Sequence, residues 1–372
     1  MNSIARATQD ELKSLFSNVS VKVRLSPGIV EKDFWVVWTL DYLFARSPWK
    51  TQLAFKGGTS LSKAFGLIKR FSEDIDLILD WRLLGYGLRE PWEKRSNTQQ
   101  DLFNEAANAR SAAFLKDVFM PRVKADLEAE CGRALDIDMD ALDPNTVVFR
   151  YPCVFGESSI LREIRIESGA LAAWTPAKTC DIVSYAAEYY PQLFKSPAAH
   201  VYTVAPERTF WEKATILHRE AMRTPERGLP PGRYSRHYYD LWCLCQSDVK
   251  ARALDDIPLL DAVVAFKRKF YRCNWAHYEL ATAAEISLMP PEHARAALET
   301  DYRHMQNMIF GPRPPFSEIL ETVRDLEREI HGKQALDAQL DAEVAKGFDD
   351  IAAGRKRSLA QTHADLTHEF GG

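Results

Sequence analysis

Phe55-Lys56-Gly57-Gly58-Thr59-Ser60-Leu61-Ser62-Lys63, followed by Arg70-Phe71-Ser72-Glu73-Asp74-Ile75-Asp76-Leu77, is the stretch that decides the fold. It predicts a strand, a glycine turn, a helix and a second strand. Thr51 to Phe55 reads as the first strand. Gly57 and Gly58 allow a tight turn that a residue with a Cβ adopts only at a cost. Thr59 or Ser60 suits the cap of the helix that follows, and Leu61, Ala64, Phe65 and Ile68 give that helix an apolar face. Phe71 to Leu79 alternates as a strand. Ser72, Asp74 and Asp76 point one way, and Ile75, Leu77 and Leu79 the other.

Two carboxylates at i and i+2 on one strand face lie close enough to share a divalent cation. A hard ion such as Mg²⁺ takes oxygen ligands, commonly one or two carboxylates with phosphate oxygens. A glycine turn that opens a helix exposes backbone N–H groups, which suit a phosphate. Metal carboxylates beside a phosphate cradle make a minimal phosphoryl- or nucleotidyl-transfer site. Alone, Asp-x-Asp is an ordinary solvated strand face and Gly-Gly an ordinary turn. Joined at this spacing, they favour the site.

Both halves, in this order, resemble the signature of the AbiEii/AbiGii toxin family, nucleotidyltransferases of the DNA polymerase β-like superfamily. The resemblance implies an α/β (α+β) fold: a polymerase-β-like core on a small mixed sheet, closed by a mostly helical C-terminal domain. It implies a nucleoside triphosphate (NTP) bound with Mg²⁺ or Mn²⁺, with Asp74 and Asp76 on the metal. Gly57, Gly58, Thr59, Ser60 and Ser72 would hold the phosphates with help from Lys63 and Arg70. Glu163, Arg165 and Glu167 alternate with Ile164 and Ile166, and the family's third acid points to Glu167, as metal ligand or base. Arg208-Thr209-Phe210-Trp211-Glu212-Lys213 resembles the family's lysine motif, which places Lys213 on the triphosphate. An exposed lysine paired with Glu212 is the plainer alternative. Arg236-His237-Tyr238-Tyr239-Asp240 resembles the closing Arg-x-x-x-Asp motif. It places Asp240 near the site, on Lys213 or the nucleotide, although Arg236 and Asp240 one turn apart also suit a plain salt bridge. Glu31-Lys32-Asp33 matches a further family element. It reads equally as a solvated first turn, and Lys32 and Asp33 lean to a structural role. Family members act as toxins in toxin–antitoxin or phage-defence systems, which implies a cognate antitoxin and an RNA acceptor such as the tRNA acceptor end. A nucleotide sensor without turnover and a protein-modifying transferase remain alternatives. No Gly-x-x-x-x-Gly-Lys-Ser/Thr is present, which disfavours a P-loop NTPase.

Composition sets the outer bounds. The 372 residues carry a formal net charge of −4, so any polynucleotide contact must come from local patches. The six cysteines show no zinc spacing and read as free thiols of a cytoplasmic protein. No apolar run is long enough for a membrane span. The expected organisation is a core over residues 1–195 with a helical insertion near 98–130, a helical domain over 196–332, and a tail over 333–372. That tail carries Leu336, Leu340, Val344, Phe348 and Ile351 at helical spacing, then Gly354-Arg355-Lys356-Arg357. Arg223 to Arg236 is a basic Gly/Pro loop that reads as a grip for a nucleic acid or as a solvated linker. Phe266 to Arg272 reads as a stacking patch or, preferably, as a helix with an aromatic core edge. His218 is expected to be a satisfied histidine.

Overall fold

The computed structural model describes residues 1–72, 74–156, 161–169, 173 and 175–352. Its centre is one mixed sheet with strands β1 (Leu53–Lys56), β2 (Ile75–Leu79), β3 (Asp136–Met139), β4 (Thr146–Arg150), β5 (Ile164–Gly169), β6 (Ala177–Val183) and β7 (Ala198–Val204). The strand order is β3-β4-β5-β2-β1-β7-β6. The helices that matter below are α1 (Gln9–Val23), α2 (Pro27–Asp41), α3 (Gly57–Lys63), α4 (Asn97–Phe114), α5 (Met120–Cys131), α6 (Tyr185–Tyr189), α7 (Pro206–Ala221), α8 (Ser235–Cys245), α9 (Ile257–Phe270), α10 (Glu292–Met305) and α11 (Phe316–Ala352).

The sheet is α/β and mixed, as expected, but larger than the small sheet foreseen. β2 pairs antiparallel with β1 and parallel with β5, while β7 runs parallel to β1. β7 lies beyond residue 195, so the expected boundary there cuts through the sheet. The strand belongs to it because β1 needs a partner on its far edge, and β6 pairs with β7 along its whole length. The second strand of the central stretch is also shorter than read. It begins at Ile75, because the chain before it is captured elsewhere: Arg70 bridges to Ile309 and the Phe71 N–H donates to the Met308 carbonyl at 2.7 Å.

Two apolar clusters flank this frame. One gathers α1, α2, the sheet and the α4–α5 insertion, with Phe34, Trp35, Trp38, Phe119 and Phe149 at its heart. The other gathers α7, α8, α9, α10 and α11 around Trp211, Tyr238, Tyr239 and Tyr302. Leu61 of α3 and Ile68 belong to the second cluster, so the glycine turn sits where the two meet. The expected break near residue 332 is absent: α11 runs unbroken for 37 residues, about 55 Å at the helical rise. Leu340, Val344 and Phe348 of the predicted stripe are exposed on it. The side chains of Leu336 and Ile351, and the run 354–357, lie outside the described residues. No helix among the described residues is long and apolar enough to cross a membrane.

Glu31, Lys32 and Asp33 correct the reading of a solvated turn, because all three are buried. Glu31 accepts the Val154 N–H at 2.7 Å and the Phe155 N–H at 3.1 Å. Lys32 donates to the Leu161 carbonyl at 2.9 Å. Asp33 accepts the Tyr185 N–H at 2.7 Å and pairs with Lys63 at 2.6 Å. One helix turn therefore ties down three separate loops, because a buried charge must find partners.

Glu31→Ala leaves two buried N–H groups without an acceptor. It should lower the unfolding free energy by about 2 kcal/mol or more. Urea denaturation against Glu31→Gln, which keeps an acceptor oxygen, checks this. Equal loss in both variants would refute it.

Candidate active site

The sheet register assembles the site. Lys56 of β1 lies opposite Asp76 of β2, and Asp76 opposite Glu167 of β5. Directly opposed residues share a sheet face, so one cation and two carboxylates form a row across three strands. Burial, then the Asp76 and Asp74 carboxylates, push Glu167 up to about 7 against the pull of Arg165. Burial also raises Asp76, and Lys56, Lys213 and Arg236 offset this only in part. Lys56 would lose its proton more easily by burial alone, but Glu212, Tyr271 and Asp76 hold its pKa above the usual value.

The row opens into a cleft of about 340 Å³. The glycine turn forms one wall, and Thr209, Glu212 and Lys213 of α7 form another. Both glycines are required by close approach. Gly57 has φ +85°, and a Cβ there would stand 1.8 Å from Asp76 Oδ2. A Cβ on Gly58 would stand 2.8 Å from Arg70 Nη2 and 2.9 Å from Ser72 Oγ. Thr59 Oγ1 donates to Ser72 Oγ at 2.9 Å, and Ser60 Oγ donates to the Gly57 carbonyl at 2.8 Å. The buried Ser60 hydroxyl thus closes the turn rather than facing the cleft.

Behind the cleft lies a buried ionic knot. Asp240 accepts two bonds from Arg70, at 2.7 and 2.8 Å, and one from Lys213 Nζ at 2.7 Å. Burial alone would raise the Asp240 pKa; Arg70 and Lys213 reverse this and hold the carboxyl well below the usual range. Burial lowers the Lys213 pKa, against the pull of Asp240. His237 Nδ1 lies 3.3 Å from Lys213 Nζ, and burial followed by the Lys213 charge keeps this imidazole neutral. Lys213 is therefore not the exposed partner of Glu212, and the partners of Asp240 are Arg70 and Lys213 rather than its neighbour Arg236.

Asp74, Asp76, Glu167, Gly57, Gly58, Ser72, Arg70 and Lys213 line this cleft together. Thr59 and Lys63 face a second cleft instead, with Lys63 held by Asp33. Among the described residues no three His, Cys, Asp or Glu side chains stand ready as a metal cage. The donors that could hold an ion are Asp74, Asp76 and Glu167, acids that disfavour one another's charge.

Lys56, Glu212 and His237, to which the sequence assigned no site role, also line the cleft, as do Arg233 and Arg236 of the loop read as a nucleic-acid grip or a solvated linker. Lys56 sat in the quoted stretch, next to the glycines, and Arg236 and His237 in the closing motif. Only the cross-strand register and the packing of α7 onto the turn disclose them. Arg233 has φ +64°, and Asp301 accepts its N–H at 2.6 Å and that of Ser235, the first residue of α8, at 2.8 Å. His218 is satisfied by the Ser287 N–H at 3.1 Å and the His277 carbonyl at 3.2 Å. Phe266 and Phe270 pack against Trp92 at 5.8 and 5.3 Å, which makes that segment a core edge.

A family model described as "Nucleotidyl transferase AbiEii toxin, Type IV TA system" matches residues 38–322. Among solved structures, MenT4, a nucleotidyltransferase toxin from Mycobacterium tuberculosis H37Rv, is 15% identical, with a TM-score of 0.37. That match covers 89% of this chain and 99% of MenT4, and at that TM-score it carries no argument. No curated protein matches.

An acid whose folded pKa lies above its unfolded value favours folding below the unfolded value, near 4.3 for Glu, and loses that contribution as pH rises through the folded one. Glu167 should therefore make the metal-free protein less stable between about pH 4.3 and about 7. Urea unfolding of Glu167→Gln in chelator should show the variant gaining on the wild type from pH 5 to pH 8. A parallel pH response would count against the crowding of acids. Gly57→Ala should cost the cleft its geometry, read as a lower melting temperature and lost nucleotide binding; wild-type values in both would contradict the close approach.

Proposed function

Because the chain belongs to the AbiEii nucleotidyltransferase toxin family of type IV toxin–antitoxin systems, we propose that it moves the nucleoside monophosphate of an NTP onto a hydroxyl of RNA, the acceptor end of tRNA first among candidates. The observation that carries this reading is the row Lys56–Asp76–Glu167 beside Asp74, facing the glycine turn and Lys213 across one cleft.

Asp74 and Asp76, with Glu167, would hold Mg²⁺ or Mn²⁺. Burial raises Glu167 and Asp76, and the Asp76 and Asp74 carboxylates raise Glu167 further; a dication among them would favour their charged forms, and hard ions take such oxygen donors with phosphate oxygens. When bound, the ion would polarise the phosphoryl group and neutralise charge developing on it. The backbone of Gly57 and Gly58 and the Ser72 hydroxyl would seat the phosphates, with Lys213 as a point charge oriented by Asp240. Glu167, opposite Asp76 on the neighbouring strand, would stand on the acceptor side, where a carboxylate can take the acceptor hydroxyl's proton. The acceptor oxygen then bonds to the α-phosphorus, the bond from that phosphorus to the bridging oxygen breaks, and pyrophosphate leaves.

The Arg loop supports an RNA acceptor. The guanidiniums of Arg223 and Arg227 lie 5.0 and 5.1 Å from the Trp275 ring, and Arg233 and Arg236 line the cleft itself. Guanidinium beside an indole face suits phosphates and unstacked bases.

Incubation with each α-labelled NTP, Mg²⁺ and total tRNA, followed by a denaturing gel, tests the reading. Label on RNA is expected, and Asp74→Asn with Asp76→Asn should abolish it while the melting curve stays cooperative. Label on protein alone would move the acceptor to a protein hydroxyl. NTP binding without transfer to RNA or protein would replace transfer by sensing.

A further inference from the structure

A second cleft is larger than the one just assigned. It measures about 540 Å³ and lies on the other side of α3, where α1 ends and α6 begins. This short helix divides the two spaces: Gly57 and Gly58 face the carboxylates, while Thr59, Ser62 and Lys63 face the larger cleft. Arg70 and Ser72 belong to both walls.

We propose that this second cleft binds a nucleotide, through phosphate on its basic rim and a base against its tyrosines. Its cations are Lys22, Arg24, Lys63 and Lys69, set against Asp33 and Glu188. Asp33 is committed to Lys63 and to the Tyr185 N–H, so it neutralises little else. Lys22 and Lys69 are exposed on the rim. Aromatic faces stand beside these charges: Lys63 Nζ lies 4.2 Å from the Tyr185 ring and Lys22 Nζ 5.6 Å from the Tyr189 ring. Tyr189 and Phe310, 39% and 38% exposed, line one opening. A planar base gains from such rings, and an anionic phosphate from the flanking ammonium groups. The volume is in the range that encloses a small ligand, roughly 300–1,000 Å³.

The shared wall gives the second cleft a route to the first. The Thr59–Ser72 hydroxyl bond crosses it, and Arg70, which anchors Asp240 and through it Lys213, forms the rest. A nucleotide seated there acts on the residues that seat the substrate. The same chemistry has two sources, a free mononucleotide and the terminal nucleotide of an RNA strand.

The full chain carrying Asp74→Asn and Asp76→Asn, dialysed in chelator so that the first cleft keeps no metal seat, is the background for the test. Equilibrium dialysis with labelled ATP, GTP, CTP and UTP, and with a labelled tetraribonucleotide, should show one remaining equivalent bound for at least one probe. Adding Lys22→Glu and Lys69→Glu should weaken it at least tenfold, and Tyr189→Ala should weaken it while Tyr189→Phe does not. Both lysines lie on the surface, so a melting curve matching the background confirms that the fold survives. Tighter binding of an NTP identifies a free effector, and tighter binding of the tetraribonucleotide a strand end. Binding of no probe in the Asp74→Asn, Asp76→Asn background, or undiminished binding after the lysine reversal, overturns the proposal. Failure of the transfer reading shows differently, as absent label transfer by the wild type whatever the lysine variants bind.

Discussion

Asp240 is closed off from water, and its two oxygens are shared between Arg70, from the loop before β2, and Lys213, from α7. Taking away one partner of such a group strands a buried charge, at a cost of about 3–5 kcal/mol. The knot is therefore also a fastener. It joins the loop that delivers Ser72 and Asp74 to the helices that deliver Lys213 and His237, and it fixes the distance between the two walls of the cleft. The bridge from Arg70 to Ile309 and the bond from Phe71 to Met308 reinforce the same join with backbone hydrogen bonds.

A second constraint is crowding at the turn. The Asp76 carboxylate occupies the space that a side chain at residue 57 would need, and Arg70 and Ser72 occupy that of residue 58. The chain backbone can approach the carboxylates this closely only where no Cβ intervenes. Reactive groups and glycine turn are thus one packing unit, and the helix behind them ends at Lys63, with Gly66 at φ +65° soon after.

Buried charges elsewhere serve the frame. Glu31, Lys32 and Asp33 bond to the segments at 154–155, at 161 and at 185. Asp33 even removes Lys63 from the substrate cleft. A charged motif near an active site can thus act by holding loops in place, and its residue types do not distinguish that from contact with a ligand.

The sequence by itself determined what depends on local period and spacing. Alternation over 71–79 marked Asp74 and Asp76, the family resemblance singled out Glu167 among the alternating acids of β5, two adjacent glycines marked the turn, and the helical pattern marked α2, α7 and α8. The closing motif pointed to Lys213 and Asp240 as partners. The tertiary structure alone decided what depends on which segments meet. It put β7 into the sheet beyond the expected boundary, started β2 late because Arg70 and Phe71 pair with 308–309, and set Lys56 against Asp76 and Asp76 against Glu167. It gave Lys63 to Asp33 and Arg70 to Asp240, although the family resemblance placed both on the phosphates. The reason is physical: periodicity fixes which way a side chain leaves its own backbone, but a charge in a low-dielectric interior settles on whichever opposite charge the packing of distant elements brings within reach.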